Sequence, residues 1–173
     1  MKSPAHRRPS VPDHESRLSD DHHEALRLWL RLLTCTTLIE RRVRAKLRER
    51  FAISLPRFDL MAQLERNPRG LKMGELSRRL MVTGGNVTAI TDQLVAEGLV
   101  ERRPIEGDRR ALAVRLTAKG RRAFDTMATA HERWVIEMFA GMSRVERERL
   151  HALLGRVKDT LRARDAAKTQ EAA

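Results

Sequence analysis

The 173-residue chain has a single cysteine, Cys35, and no tyrosine. One thiol excludes an internal disulfide and fits a reducing compartment, so a cytoplasmic setting is expected. No apolar run approaches the ~20 residues that a membrane-spanning helix needs, and no membrane partner is expected. The opening MKSPAHRRPSVPDHESRLSD has basic residues with no hydrophobic stretch behind them. That argues against a secretory signal and predicts a disordered basic tail over residues 1–20. Internal repeats and low-complexity blocks are lacking too. So are the constellations of a catalyst: there is no nucleophile–base–orienter set and no phosphate loop, and Asp92 and the scattered glutamates sit on helix faces without a pairing pattern. Neither an enzyme nor a cofactor is expected. Acidic and histidine side chains do meet in DDHHE at residues 20–24, but adjacent histidines project to different sides of a helix. Neither His131 nor His151 completes a ligand set, so these read as solvated first-turn residues and no metal is expected.

Acid is also in deficit. Lys and Arg number 35 against 23 Asp and Glu, a formal net charge of +12 at pH 7. Such an excess points to a polyanionic partner, with a merely basic soluble protein as the plain alternative.

What is present is mostly helix. Residues 21–51 carry apolar side chains at Leu26, Trp29, Leu30 and Leu33, with Leu28, Leu32, Cys35 and Ile39 on adjoining faces, and Asp20 or Asp21 can cap the start. The first half is apolar nearly all round, which suggests a subunit interface; the second half turns basic, with Arg41, Arg42 and Arg44 among others. Pro56 at a first helical position opens a second helix, PRFDLMAQLER, closed by NPRG. LKMGELSRRL is a short third helix and MVTG a turn. Thr83 caps a fourth helix running to Glu97, stopped by Gly98. LVERR and ALAVRLT alternate with period two around PIEGD, a β-hairpin. A long helix starts at Ala118. Ser143 caps a last one, whose Leu150, Leu153, Leu154, Val157 and Leu161 form one stripe.

Three helices, a tight turn between the third and fourth elements and a hairpin describe a winged helix-turn-helix, a mainly α fold with a small β wing. On the fourth helix Val87, Ile90 and Leu94 point one way. At about 100° per residue the other side presents Gly85, Asn86, Ala89, Asp92 and Gln93, with Thr88 at its edge. That face is small and hydrogen-bonding, as a helix entering the major groove of double-stranded DNA requires. Asn86 and Gln93 can read adenine bidentately, and Thr88 or Thr91 can touch a phosphate or a thymine methyl. A pair of glycines at a helix start costs about 1 kcal/mol each against alanine. Gly84 and Gly85 repay this by leaving first-turn N–H groups bare for a DNA phosphate; the alternative is a flexible turn of no special use. In the hairpin, Arg102, Arg103, Arg109 and Arg110 can follow the backbone or enter a narrow minor groove, with Asp108 pairing with Arg110 to aim it.

NVTAITDQLVAEGLVERRPIEGDRR, followed by RLTAKG, resembles the MarR family of bacterial transcription regulators, and the helix order extends the likeness over residues 22–165. The resemblance implies a single domain over 21–165, with dimerisation helices at 21–54 and 118–165, the winged helix-turn-helix at 55–117 and a frayed tail at 166–173. It implies an obligate homodimer on a palindromic operator, its recognition helices roughly 34 Å apart. By position Asp108 and Arg110 take the wing-tip roles, Arg110 in the minor groove. Family members commonly release DNA when a small aromatic effector binds between the dimerisation helices and the DNA-binding lobe, so the expected function is an effector-released repressor. Trp29, Leu33, Phe58, Met61 and Trp134 are candidate walls, or plain core. LRLWLRLLTCTTLIE and LPRFDLMAQL are similar to the branch that answers to hydroxycinnamoyl-CoA. Arg41, Arg42 and Arg44 can then hold the phosphates of a CoA thioester, or else simply solvate a helix. Redox sensing through Cys35, as in a peroxide-sensing branch of the family, is a further alternative, disfavoured because that branch holds its cysteine nearer the start of the first helix with tyrosines, which this chain lacks, and because apolar neighbours disfavour a reactive thiolate. A sequence-indifferent basic DNA-binding protein is the last.

Overall fold

A computed structural model describes residues 20–80, 84–105 and 108–171. Residues 1–19 of the tail expected at 1–20, the cap Thr83 and the tip residues 106 and 107 lie outside the described residues, as do the side chains of Asp20, Asp21, His22, Gly84, Gly85, Asp108, Arg109 and Arg110. In chain order the elements are α1 (Asp20–Phe51), α2 (Leu55–Glu65), β1 (Leu71–Lys72), α3 (Met73–Leu80), α4 (Gly84–Ala96), β2 (Val100–Ile105), β3 (Asp108–Leu116), α5 (Ala118–Met138) and α6 (Arg144–Glu171). Two compact units divide at Arg42 and Val43.

The described part of the first unit is helix throughout. Its Thr34, Thr36 and Thr37, β-branched residues that sit poorly in a helix, donate their hydroxyls to the carbonyls of Leu30, Leu32 and Leu33 at 2.8–2.9 Å. This back-bonding satisfies the hydroxyls within the helix. Leu26, Leu28, Trp29, Leu30, Leu33 and Leu38 are all exposed in the chain.

The second unit holds the core. Val43 and Leu47 from the end of α1, Leu60, Met61 and Leu64 from α2, Leu76 from α3 and Val87 and Leu94 from α4 are buried together with Val114 of β3 and Phe124 and Met127 of α5. Pro56 falls in the first turn of α2, after Ser54 as N-cap, where a missing N–H costs nothing. The hairpin forms as expected, with Val100 opposite Leu116 and Arg102 opposite Val114. One element was not anticipated. The two-residue β1 pairs Leu71 with Val114, completing a three-stranded antiparallel sheet of order β1-β3-β2. At the head of α6, Ser143 and Glu146 form a capping box: the Ser143 N–H and hydroxyl both reach the Glu146 carboxylate at 2.8 Å. Those bonds hold the Glu146 carboxyl below its ordinary pKa. The helix then continues to Glu171, through most of the segment expected to fray.

Candidate nucleic-acid interface

The faces of α4 separate cleanly. Val87 and Leu94 are fully buried and Ile90 nearly so, while Asn86, Thr88, Ala89, Asp92 and Gln93 are exposed. Thr91 departs from expectation. It is fully buried and donates its hydroxyl to the Val87 carbonyl at 2.8 Å, so it belongs to the core face and cannot reach a phosphate or a base. The reason is helical geometry: Val87, Ile90, Thr91 and Leu94 occupy the i, i+3, i+4 and i+7 positions of one stripe.

Two expected DNA contacts have partners inside the chain. Arg102 donates to the Asp92 carboxylate at 2.5 Å, tying the first strand of the wing to the outer face of α4. Sequence reasoning placed these two residues separately, one on the recognition face and one on the wing, and missed that they meet. Arg103 pairs with Glu101 at 3.1 Å, and Arg115 of the adjacent strand bonds the same carboxylate at 2.7 Å. Hydrogen bonds from Arg103, then from Arg115, hold the Glu101 carboxyl below its ordinary pKa. β3 begins at Asp108, with its backbone opposite Ile105 across an irregular register.

The recognition helix is also held from behind. Gly98 takes φ +68°, a left-handed turn that ends α4. Thr117 donates its hydroxyl to the Gly98 carbonyl at 2.8 Å and its N–H to the Leu99 carbonyl at 3.1 Å, and Lys119 Nζ reaches the Glu97 carbonyl at 2.8 Å. The Thr117 hydroxyl also accepts from the Gly120 N–H at 2.9 Å, capping α5. A side chain on Gly120 would put Cβ 1.8 Å from the Leu99 carbonyl oxygen, so only glycine lets α5 approach this closely. The RLTAKG segment thus clamps the junction between α4 and the wing.

A cavity of about 410 Å³ opens between α2, α3 and α5, lined by Phe58, Phe124, His131, Arg66 and Arg79 among others. The Phe58 ring lies 5.4 Å from Phe124 and 5.0 Å from His131. Desolvation there pushes the His131 pKa down. Of the expected effector walls, Phe58 lines this cavity and Met61 is fully buried in the core. Trp134 is buried beside Lys46, whose Nζ sits 5.4 Å over its ring. Arg44 is exposed at the start of the second unit; Trp29, Leu33, Arg41 and Arg42 are exposed in the first. Cys35, expected among shielding apolar neighbours, is exposed in the chain. Among the described residues no group of three or more His, Cys, Asp or Glu could hold a metal ion, and no helix is long and apolar enough to cross a membrane.

The profile described as MarR family matches residues 53–111, from the approach to α2 into β3. The HTH-type transcriptional regulator PecS of Dickeya dadantii is 30% identical over 131 residues, covering 75% of this chain and 79% of PecS. The chain belongs to the MarR family. Among solved structures, a MarR family transcriptional regulator from Silicibacter pomeroyi superposes with a TM-score of 0.72 at 32% identity, covering 83% of this chain and 99% of that one. Wild-type MarR from E. coli gives 0.65 at 25% identity, over 73% of this chain and 94% of its own. The MarR relatives are transcriptional regulators, and the clamp, the α4 faces and the hairpin described above are how this member builds its winged helix.

Proposed function

We propose that this MarR-family regulator binds a palindromic DNA operator as a homodimer and represses transcription until an aromatic anion releases it. The observation that carries the reading is the division of α4. A helix whose inner stripe is fully buried is rigidly seated, and one whose outer face offers Asn86, Thr88, Ala89 and Gln93 can lie in a major groove with no bulky side chain to hold it off. Gly84 and Gly85 in its first turn leave N–H groups for a phosphate. Arg109 and Arg110 extend the contact into the minor groove from the wing, with Asp108 aiming Arg110. Arg102 joins them by bracing the wing against α4 through Asp92 rather than as a free phosphate contact. The exposed apolar residues of α1 and of α6, each on its own helix, support a second copy of the chain as partner.

The cavity between α2, α3 and α5 supports an aromatic anion as effector: its lining includes the rings of Phe58, Phe124 and His131 and two arginines, Arg66 and Arg79, against one acid, Asp59, while Arg79 is also paired with Glu75. A CoA thioester is the other effector class, supported separately by the sequence run of Arg41, Arg42 and Arg44, all exposed. Fluorescence anisotropy on the DNA upstream of the protein's own gene, against a scrambled duplex at physiological salt, tests the whole. Preferential binding to the upstream DNA, lost on adding a phenolic acid or its CoA thioester, is expected. Equal binding to both duplexes with a steep salt dependence would leave only a sequence-indifferent basic protein.

A further inference from the structure

α4 carries a single charged residue, Asp92. In a chain of net charge +12 it is negative, and it stands on the exposed face. A lone carboxylate turned toward a polyanion repels it, so an acid in that place needs a reason. Arg102 Nη2 donates to Asp92 Oδ1 at 2.5 Å, which offsets the negative charge within the protein and limits rotation of the carboxyl group. That bond takes one oxygen. A carboxylate has two, with about four lone-pair sites between them, and among the described residues Oδ2 has no hydrogen bond. The pair is also lopsided: the Arg102 side chain is 31% exposed and that of Asp92 57%. The cation is drawn in and the acceptor is left outward.

We propose that Asp92 is a specificity-determining residue: its Oδ2 accepts a hydrogen bond from the N4 amino group of one cytosine in each half-site, while Arg102 holds the carboxyl group in place. This rests on the reading of α4 as the recognition helix. Base chemistry makes the choice. In the major groove guanine offers N7 and O6 and thymine offers O4, acceptors that repel a carboxylate. Adenine sets its N6 donor beside the N7 acceptor, and cytosine alone offers a donor with no acceptor of its own. Ala89, one turn earlier on the same face, has only a methyl and leaves room for a base pair to approach. The amides of Asn86 and Gln93 suit adenine, so Asp92 adds a base that they do not read. Arg102 is then a positioning residue. It touches no base, and its place on β2 opposite Val114 anchors the guanidinium to the lobe.

Asp92→Asn separates reading from bracing, because its amide oxygen still accepts from Arg102 while an NH2 donor replaces Oδ2. A donor is mismatched with cytosine N4 and suits the acceptors of the other three bases. Wild-type and variant full-length chains each select from a pool of randomised duplexes, and anisotropy on the recovered sequences gives the preference at every position. The wild type is expected to return one cytosine per half-site, favoured about tenfold there. Asp92→Asn is expected to select against cytosine at that position and to keep the rest of the motif. Asp92→Ala, with neither donor nor acceptor, is expected to be indifferent there, and decides the matter if the asparagine variant does not fold. A residue that only braces the wing would weaken binding to every duplex alike and leave each preference as it was; that result overturns the proposal. A motif shared unchanged by wild type and variants removes Asp92 alone, whereas a wild type that selects no motif removes the DNA reading and the proposal with it.

Discussion

Between residues 43 and 138 every helix buries a face, whereas none of the residues from 23 to 42 or from 144 to 167 is buried. Composition does not explain the contrast. The two bare stretches carry Leu26, Trp29, Leu30 and Leu33 in one and Leu153, Leu154, Val157 and Leu161 in the other, all exposed. Each such side chain is worth about 1.5–3 kcal/mol when fully buried, so the winged lobe gathers that stabilisation within one chain and the long helices do not. The difference teaches that an apolar stripe read from sequence says a face will be covered, not by what. Inside the lobe the covering element is a neighbour in the chain; on the long helices our reading assigns it to a second copy.

The lobe's close packing is most exposed to attack at Gly120. Gly120→Ala puts a methyl 1.8 Å from the Leu99 carbonyl, and backbone has to move on one side or the other. A loss of about 3 kcal/mol of stability is expected in urea unfolding, together with weaker operator binding as the clamp behind α4 opens. A stability within experimental error of wild type would mean that α5 and the wing junction do not sit this close. The long helices should respond in the opposite manner. Leu153→Glu with Leu161→Glu changes residues that are 47% and 58% exposed in the chain, so the lobe has nothing to lose. Sedimentation should show a monomer, and operator affinity should fall roughly 100-fold as the second half-site contact is lost. A dimer that survives both charges would place the partner surface elsewhere.

The same contrast runs through α4 alone. Asn86→Ala on the exposed face should cost about 1–3 kcal/mol of discrimination at one base pair and leave the melting temperature unchanged. Uniform weakening across operator variants would make Asn86 a phosphate contact. Thr91→Val on the buried face removes the hydroxyl bond to Val87 and should cost about 1 kcal/mol of stability with operator preference intact. A change of preference there would mean that Thr91 is not seated as the structure has it. Arg110→Ala should weaken binding about tenfold, near 1.4 kcal/mol, without unfolding the dimer. Unchanged affinity would remove Arg110 from the minor groove.

These two faces were legible in the sequence because a 3.6-residue period repeats over the thirteen residues of α4 and needs no knowledge of its neighbours. Thr91 was misplaced because a hydroxyl reads as surface, and only the carbonyl four residues back makes it acceptable in a core. β1 was invisible since two residues carry no period, and Leu71 becomes a strand only through Val114, 43 positions on by sequence number. The ion pair of Asp92 with Arg102 stayed hidden for a related reason: Arg102 had a plausible role toward DNA, Asp92 only a place on the outer face, and charge alone does not say which carboxylate an arginine finds. RLTAKG was noticed as a resemblance, but the reason for its threonine and glycine appears only when α5 meets the carbonyls of Gly98 and Leu99. A cavity lined from three elements has no local signature at all.

The smallest expected effect concerns the turn between α1 and α2. Ala52 takes φ +52° at the end of α1, a left-handed conformation that costs an alanine about 1–2 kcal/mol. Its N–H bonds the Arg48 carbonyl at 3.0 Å and the next N–H, of Ile53, bonds Leu47 at 3.4 Å, the pattern of a helix stop that ordinarily uses glycine. The turn is needed because Ile53 must be buried immediately after it and Ser54 must cap α2. Ala52→Gly removes the strain but loosens the unfolded chain by about 0.4–1 kcal/mol, so a net gain of about 0.5 kcal/mol is expected by urea unfolding. A net loss would show that the contacts of the Ala52 methyl contribute more than the left-handed turn takes away.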